Sequence, residues 1–186
     1  MKNSYLGIVV ARKGSKGIKN KNFLLVNKKK NKRIIDYTLL AAKRSIKLNS
    51  ILLTSNDERI LKVAKKYDLD MILKRRSSLS KDNSKTVDAV IDALNRFTKK
   101  FYKPENIVLL QPTSPLRKTR HIDQSINFFN KNKKKCNSLV SVSEYDGIHP
   151  FKLKKIVNNF VEPFINNADS EKPRQIMPKL FKLNGL

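Results

Sequence analysis

The apolar run Tyr5-Leu6-Gly7-Ile8-Val9-Val10 breaks directly into Ala11-Arg12-Lys13-Gly14-Ser15-Lys16-Gly17-Ile18-Lys19-Asn20-Lys21-Asn22. A run this short, closed by glycines three apart, leaves room for one buried strand and a tight turn. Because it is apolar throughout instead of alternating, both faces should be covered. That describes a central parallel strand with a ligand position at its carboxyl end. Around the glycines stand Arg12, Lys13, Lys16, Lys19 and Lys21, with Ser15 and Asn22 as short hydrogen-bonding side chains. Backbone amides and long cations together suit a polyphosphate. The spacings G-x-x-x-x-G-K-[ST] and G-x-G-x-x-G are both absent, and a solvated basic turn is the alternative.

The rest of the chain alternates strand and helix signals. Phe23–Val26 is a short extended piece before a Lys-rich tip, and apolar residues from Ile34 to Ile46 recur at helical spacing, predicting a helix over 34–47. Ile51–Thr54 is a second strand, and Ser55-Asn56-Asp57-Glu58 caps a helix carrying Ile60, Leu61, Val63, Ala64 and Tyr67. Met71–Leu73 leads into a polar loop reaching Lys85, followed by a helix with Val87, Val90, Ile91, Leu94 and Phe97, capped near Ser84 or Thr86. Ile107–Leu110 is a buried strand ending in Gln111-Pro112-Thr113-Ser114-Pro115-Leu116-Arg117, where two prolines stiffen the loop. A helical stripe at Ile122, Ile126, Phe128 and Phe129 and a strand at Leu139–Val142 follow. From about 145 short extended pieces alternate with Asn, Pro and Gly, which reads as a small β-rich appendage. The pattern predicts a three-layer α/β sandwich with a mostly parallel sheet.

Composition narrows the function classes. The formal charge of +26 invites a nucleic-acid reading. The excess is mostly scattered Lys, clumped only at Lys28–Lys30 and Lys133–Lys135, and the chain has no Trp. No stacking surface is interleaved with the cations, so anionic small molecules are the expected partners and nucleic acid is not. The lone Cys136 excludes an internal disulfide, and no Cys/His metal spacing exists. Without an apolar run long enough for a membrane span, or a secretory leader pattern, the expected location is the cytoplasm. His121 and His149 read as loop or surface histidines.

Three stretches together resemble the acylneuraminate cytidylyltransferases, which activate sialic and related nonulosonic acids as CMP-sugars. They are Ala11–Gly17 continuing to Lys21-Asn22, Leu109–Arg117, and Pro173-Arg174-Gln175 followed by Phe181 and Asn184-Gly185. The resemblance implies a nucleotide-diphosphosugar-transferase-like fold over residues 1–186, with 145–172 as a small dimerisation insertion. It implies CTP, an acidic nine-carbon sugar, Mg²⁺ and a homodimer. It places Arg12 and Lys21 on the triphosphate, and Ser15 and Asn22 on the nucleotide. Arg75, Ser84 and Thr86 fall at base and ribose positions, Gln111 at a substrate contact, Lys152 at the acidic sugar, and Arg174 at an arginine treated as catalytic. Whether Arg75 or Arg76 faces the site stays open, as does a purely local role for Gln111, Ser84 and Thr86. The second stretch leans toward sialic or legionaminic acid.

The family continues past the third stretch to a pair of aspartates that hold Mg²⁺. Here the last carboxylates, Glu162, Asp169 and Glu171, all precede Arg174 and match none of them. The expectation is therefore that this polypeptide alone binds CTP but transfers weakly or not at all. Lys13 and Asn56 are smaller departures, at positions where a small residue and an aspartate are common.

Overall fold

The computed structural model describes residues 4–14, 17–81 and 83–184. These form two compact units, one ending at Leu139 and the other spanning Val140–Asn184.

The first unit contains β1 (Tyr5–Ala11), the ribbon β2 (Leu25–Asn27) and β3 (Lys32–Arg33), α1 (Ile34–Lys43), β4 (Ser50–Ser55), α2 (Glu58–Ala64), β5 (Met71–Lys74), α3 (Thr86–Lys100), β6 (Asn106–Leu110) and α4 (Thr119–Asn132). Its sheet has the order β5-β4-β1-β6, and every pairing in it is parallel. Strand periodicity divides the core in two. Tyr5, Val9 and Ala11 point to one face, against Ile35 and Leu39 of α1, Ile60 of α2, and Ile122 and Ile126 of α4. Leu6, Ile8, Leu52 and Leu73 point to the other, against Val90, Ala93 and Phe97 of α3. Helices on both faces make the expected α/β/α sandwich. Gly7 admits Leu48 to the sheet, since a Cβ there would lie 2.9 Å from the Leu48 Cδ1.

Local chemistry sets the helix ends. Asp57 caps α2 by accepting the Arg59 N–H at 3.1 Å, as the sequence predicts. The helix expected over 34–47 stops at Lys43. Beyond it Ser45 donates its hydroxyl to Asp123 of α4, the chain leaves the helix axis, and Ile46 is left 84% exposed. Its helical spacing is incidental. The N-cap of α3 is Lys85, with no side-chain cap bond from Ser84 or Thr86.

The second unit holds β7 (Val142–Glu144), β8 (Lys154–Val157), β9 (Phe160–Pro163) and β10 (Phe181–Leu183). The strand read at Leu139–Val142 begins only at Val142, and it pairs antiparallel with β10. Leu139 and Val140 are exposed. The β8–β9 hairpin closes on Asn158-Asn159, both at positive φ, between the paired Val157 and Phe160. Asparagine tolerates that region, which a two-residue hairpin requires.

Candidate functional site

The sheet register builds one edge of a site in the first unit. Ala11 lies beside Ser55, and Ser55 beside Lys74, so Arg12, Asn56 and Arg75 are the first residues past three aligned strand ends. Leu110 pairs with Val9, which brings Gln111 to the same edge. The chain steps outward from β1 through β4 to β5, then crosses to β6 on the other side of β1. The loops after β1 and β6 are thus neighbours at the carboxyl ends of the strands, where parallel α/β sheets receive ligands, and the helices that follow them pack on one face.

Side-chain bonds hold the loop after β1 at both ends. The Lys13 main-chain N–H donates to Asn56 Oδ1 at 2.8 Å, and Asn22 Nδ2 donates to the Arg12 carbonyl at 3.1 Å. Gly14 has φ +82°, a conformation that side chains resist. Asn20, at φ 54°, accepts from Arg59 Nη2 at 3.0 Å. Arg59 is itself gripped by both oxygens of Asp57, at 2.9 and 2.7 Å. Those bonds hold the Asp57 carboxyl below the usual range, with burial opposing them. Arg59 also stacks over the Phe23 ring at 4.6 Å. Lys21, half-buried, opens the short 3₁₀ turn Lys21–Phe23. Ser15 lies outside the described residues.

Two guanidiniums meet at this edge. Arg75 is only 7% exposed; its Nη2 donates to the Thr54 carbonyl at 3.1 Å, while its buried Nε has no partner among the described residues. Burial, and then the charge of Arg12, lower its pKa. Arg12 Nη1 donates to the Lys81 carbonyl at 3.3 Å. The neighbouring Arg76 differs in its contacts: it is exposed and pairs with Asp92 at 3.2 Å. Ser84 folds the intervening loop, donating its hydroxyl to the Ser78 carbonyl at 3.1 Å. Thr86 is exposed at the first turn of α3.

Gln111 is half-buried, and its carbonyl accepts from Arg117 Nη2 at 2.9 Å. Arg117 is 5% exposed, reaches Thr38 of α1 at 3.5 Å, and has its pKa pushed down to about 10 by burial. The sequence gives it no separate role; the structure makes it the clamp that fixes the loop after β6. Asn56 was also missed as a loop anchor, and only its place at a strand end hinted at one.

The second unit carries the remaining two candidates. Lys152 lies on the turn Pro150–Lys152, and Arg174 opens a second short turn behind Pro173. Both line one cavity of about 350 Å³. Arg174 Nη2 donates to the Asp146 carbonyl at 2.6 Å.

A divalent cation has no evident cage here. Among the described residues no three His, Cys, Asp or Glu side chains come together. The one Asp-x-Asp of the sequence, Asp68-Leu69-Asp70, precedes β5 at the far end of the sheet. There Asp70 accepts the Ile51 N–H at 2.8 Å and Asp68 pairs with Lys43 at 3.4 Å. Cations and amides at the site edge do not fit Mg²⁺, which needs carboxylate or phosphate oxygens.

Comparison with known proteins bears on the family and the fold. A family model described as cytidylyltransferase matches residues 6–166. An N-acylneuraminate cytidylyltransferase of Escherichia coli is 32% identical over 143 residues, 77% of this chain and 32% of the relative. A CMP-N,N′-diacetyllegionaminic acid synthase of Legionella pneumophila is 33% identical over 138 residues, 74% of this chain and 57% of the relative. These matches thus span between about a third and somewhat more than half of the relatives' own length. Among solved structures, CMP:2-keto-3-deoxy-manno-octonic acid synthetase complexed with CTP superimposes with a TM-score of 0.64 at 15% identity, covering 98% of this chain and 72% of that one. That likeness is one of fold.

Proposed function

The chain belongs to the cytidylyltransferase family, and on that premise we propose that it transfers CMP from CTP to a nonulosonic acid, sialic, legionaminic or related. The products are the CMP-sugar and pyrophosphate. The observation that carries this reading is the convergence of Arg12 and a buried Arg75 at the carboxyl edge of the sheet. A guanidinium held largely out of water, with a second one beside it, offers the planar cationic donors that a triphosphate binds.

In the proposed reaction the sugar's anomeric hydroxyl attacks the α-phosphorus. A P–O bond forms there as the bond to the β-phosphate breaks, the hydroxyl loses its proton, and charge gathers on the departing pyrophosphate. Fixed cations placed where that charge develops lower the barrier, and holding both reactants in line removes an entropic cost. Arg12 and Lys21 take the triphosphate in this scheme, with Ser15 and Asn22 contacting the nucleotide. Arg75, Ser84 and Thr86 serve its base and ribose. Gln111, held by Arg117, faces the sugar. Lys152 and Arg174 serve the acid, Arg174 as a bidentate partner that Lys cannot imitate.

A homodimer through the second unit is part of the proposal. Ile156, Phe160 and Val161 are 77%, 73% and 69% exposed on one hairpin, which suits a partner of similar apolar character. The location proposed is the cytoplasm; no described helix is long and apolar enough to cross a membrane.

The test is pyrophosphate release by the full chain with CTP, Mg²⁺ and each candidate acid. Slow release that needs both substrates is expected, because no described side chains form a cage for the metal. Selective CTP binding with no release in any pairing would replace the transferase reading with a nucleotide-binding one. No CTP binding at all would overturn both.

A further inference from the structure

Arg59 is the second residue of α2, just past the carboxyl end of β4, and its guanidinium is braced on two sides. Nε and Nη2 donate to the two oxygens of Asp57 at 2.9 and 2.7 Å, and Asp57 is itself buried and caps the helix. The guanidinium carbon lies 4.6 Å from the centroid of the Phe23 ring, and Phe23 packs on the core beneath. A long side chain is thus held by a buried carboxylate and a packed ring. From that fixed position Nη2 also donates to Asn20 Oδ1 at 3.0 Å.

Asn20 is where the chain turns toward Lys21. Its backbone lies at φ 54° and ψ 31°, a left-handed conformation that asparagine tolerates better than most residues but does not prefer. The Asn20 carbonyl accepts the Phe23 N–H at 2.8 Å, and the Ile18 carbonyl accepts the Lys21 N–H at 3.1 Å, so the turn Lys21–Phe23 hangs on this residue. On the far side of Lys21, Asn22 Nδ2 returns to the Arg12 carbonyl at 3.1 Å. Lys21 therefore sits between two fixed neighbours, one tied back to the loop and the other tied to α2.

Paired with Asp57, Arg59 adds no net charge to the loop; what it adds is geometry. A planar fork can join a carboxylate to an amide oxygen at set angles, which a lysine ammonium does not. The geometry points to Arg59 as a positioning residue for CTP: braced on Asp57 and Phe23, it holds Asn20 in the left-handed turn that directs Lys21 at the triphosphate. This rests on the reading above, which gives Lys21 that role, and deepens it by naming what aims the cation. A cation aimed before the ligand arrives spares part of the ordering cost of binding.

The test is calorimetric binding of CTP to the full chain, with melting temperatures measured alongside. Arg59→Lys keeps a cation beside Asp57 and removes the fork, and CTP affinity should fall about fivefold. Asn20→Gly removes the acceptor at a backbone that glycine adopts freely, and should lose a similar amount; Asn20→Asp keeps the acceptor and should retain most of the affinity. In a Lys21→Met background, itself weakened, Arg59→Lys should cost nothing further, whatever it does to the melting temperature. Wild-type affinity in Arg59→Lys or in Asn20→Gly would overturn the positioning role. A fivefold loss that persists in the Lys21→Met background would overturn the route through Lys21 and make Arg59 a structural residue. Unchanged CTP affinity in Lys21→Met alone would overturn this inference while leaving the transferase reading in place. A wild-type chain that binds no CTP would overturn the parent reading with it.

Discussion

Lys13 and Asn56 are joined by a 2.8 Å bond from the main-chain N–H of one to the side-chain oxygen of the other. The start of the loop after β1 is thereby tied to the end of β4, which fixes the main chain at Lys13 beside Arg12. Preorganisation of this kind contributes to affinity by sparing the ligand the ordering cost.

Asn56→Ala is therefore expected to weaken CTP binding about fivefold, the worth of roughly 1 kcal/mol for a lost neutral hydrogen bond. Asn56→Asp keeps an acceptor and should retain most of the affinity. Calorimetry on the three proteins decides it, and equal affinities for Ala and wild type would show that the tie does not shape the loop.

Arg75 presents an opposition between binding and stability. Its burial beside Arg12 is unfavourable without an anion. Arg75→Met should leave the melting temperature of the ligand-free protein at or above that of wild type, while CTP affinity falls by about tenfold or more. A fall in melting temperature of several degrees would instead make Arg75 a structural residue that happens to line the edge.

The pair Asp57–Arg59 gives a pH signature. The folded-state pKa of Asp57 is depressed, so the stability it contributes is present above the unfolded value of 3.8 and is lost as pH falls through the lower folded value. Asp57→Asn should be less stable than wild type at neutral pH, and the difference should shrink as pH drops below about 4. Chemical denaturation at a series of pH values measures it, and a gap that stays constant down to pH 2.5 would rule out this origin.

Phe160 tests the proposed homodimer. Phe160→Lys places a charge in the exposed apolar strand without touching the first unit's core. Sedimentation velocity at micromolar concentration should show a dimer for wild type and a monomer for the variant. A wild-type monomer would remove the second unit as an assembly surface.

Much of the first unit was legible because its signals are local. Continuous apolar runs gave β1, β4 and β6, and Asp57 gave the start of α2, since one residue type satisfies one helix end. Ile46 misled because helical spacing reports a possible face without reporting where the axis ends; Ser45 bonding to Asp123, distant in sequence, ends it. Arg75 could not be told from Arg76 in the sequence, as adjacent side chains on extended backbone leave in opposite directions and only the neighbouring strand decides which way is inward. Arg117 and Asn56 act through long-range bonds and carry no local pattern at all. His149, read as a loop or surface histidine, does lie in a loop, half-buried at the start of the turn Pro150–Lys152.

The register of the sheet also sets a length. Parallel strands lie about 4.8 Å apart, and three such steps separate β5 from β6, so the strand ends that carry Arg75 and Gln111 stand roughly 14 Å from one another. The sheet is a ruler whose divisions cannot be changed by substituting loop residues. A free phosphate covers one division and a bare nucleobase little more. Only an elongated molecule, or two molecules laid end to end with a bond to exchange between them, is long enough to be measured against the whole of it.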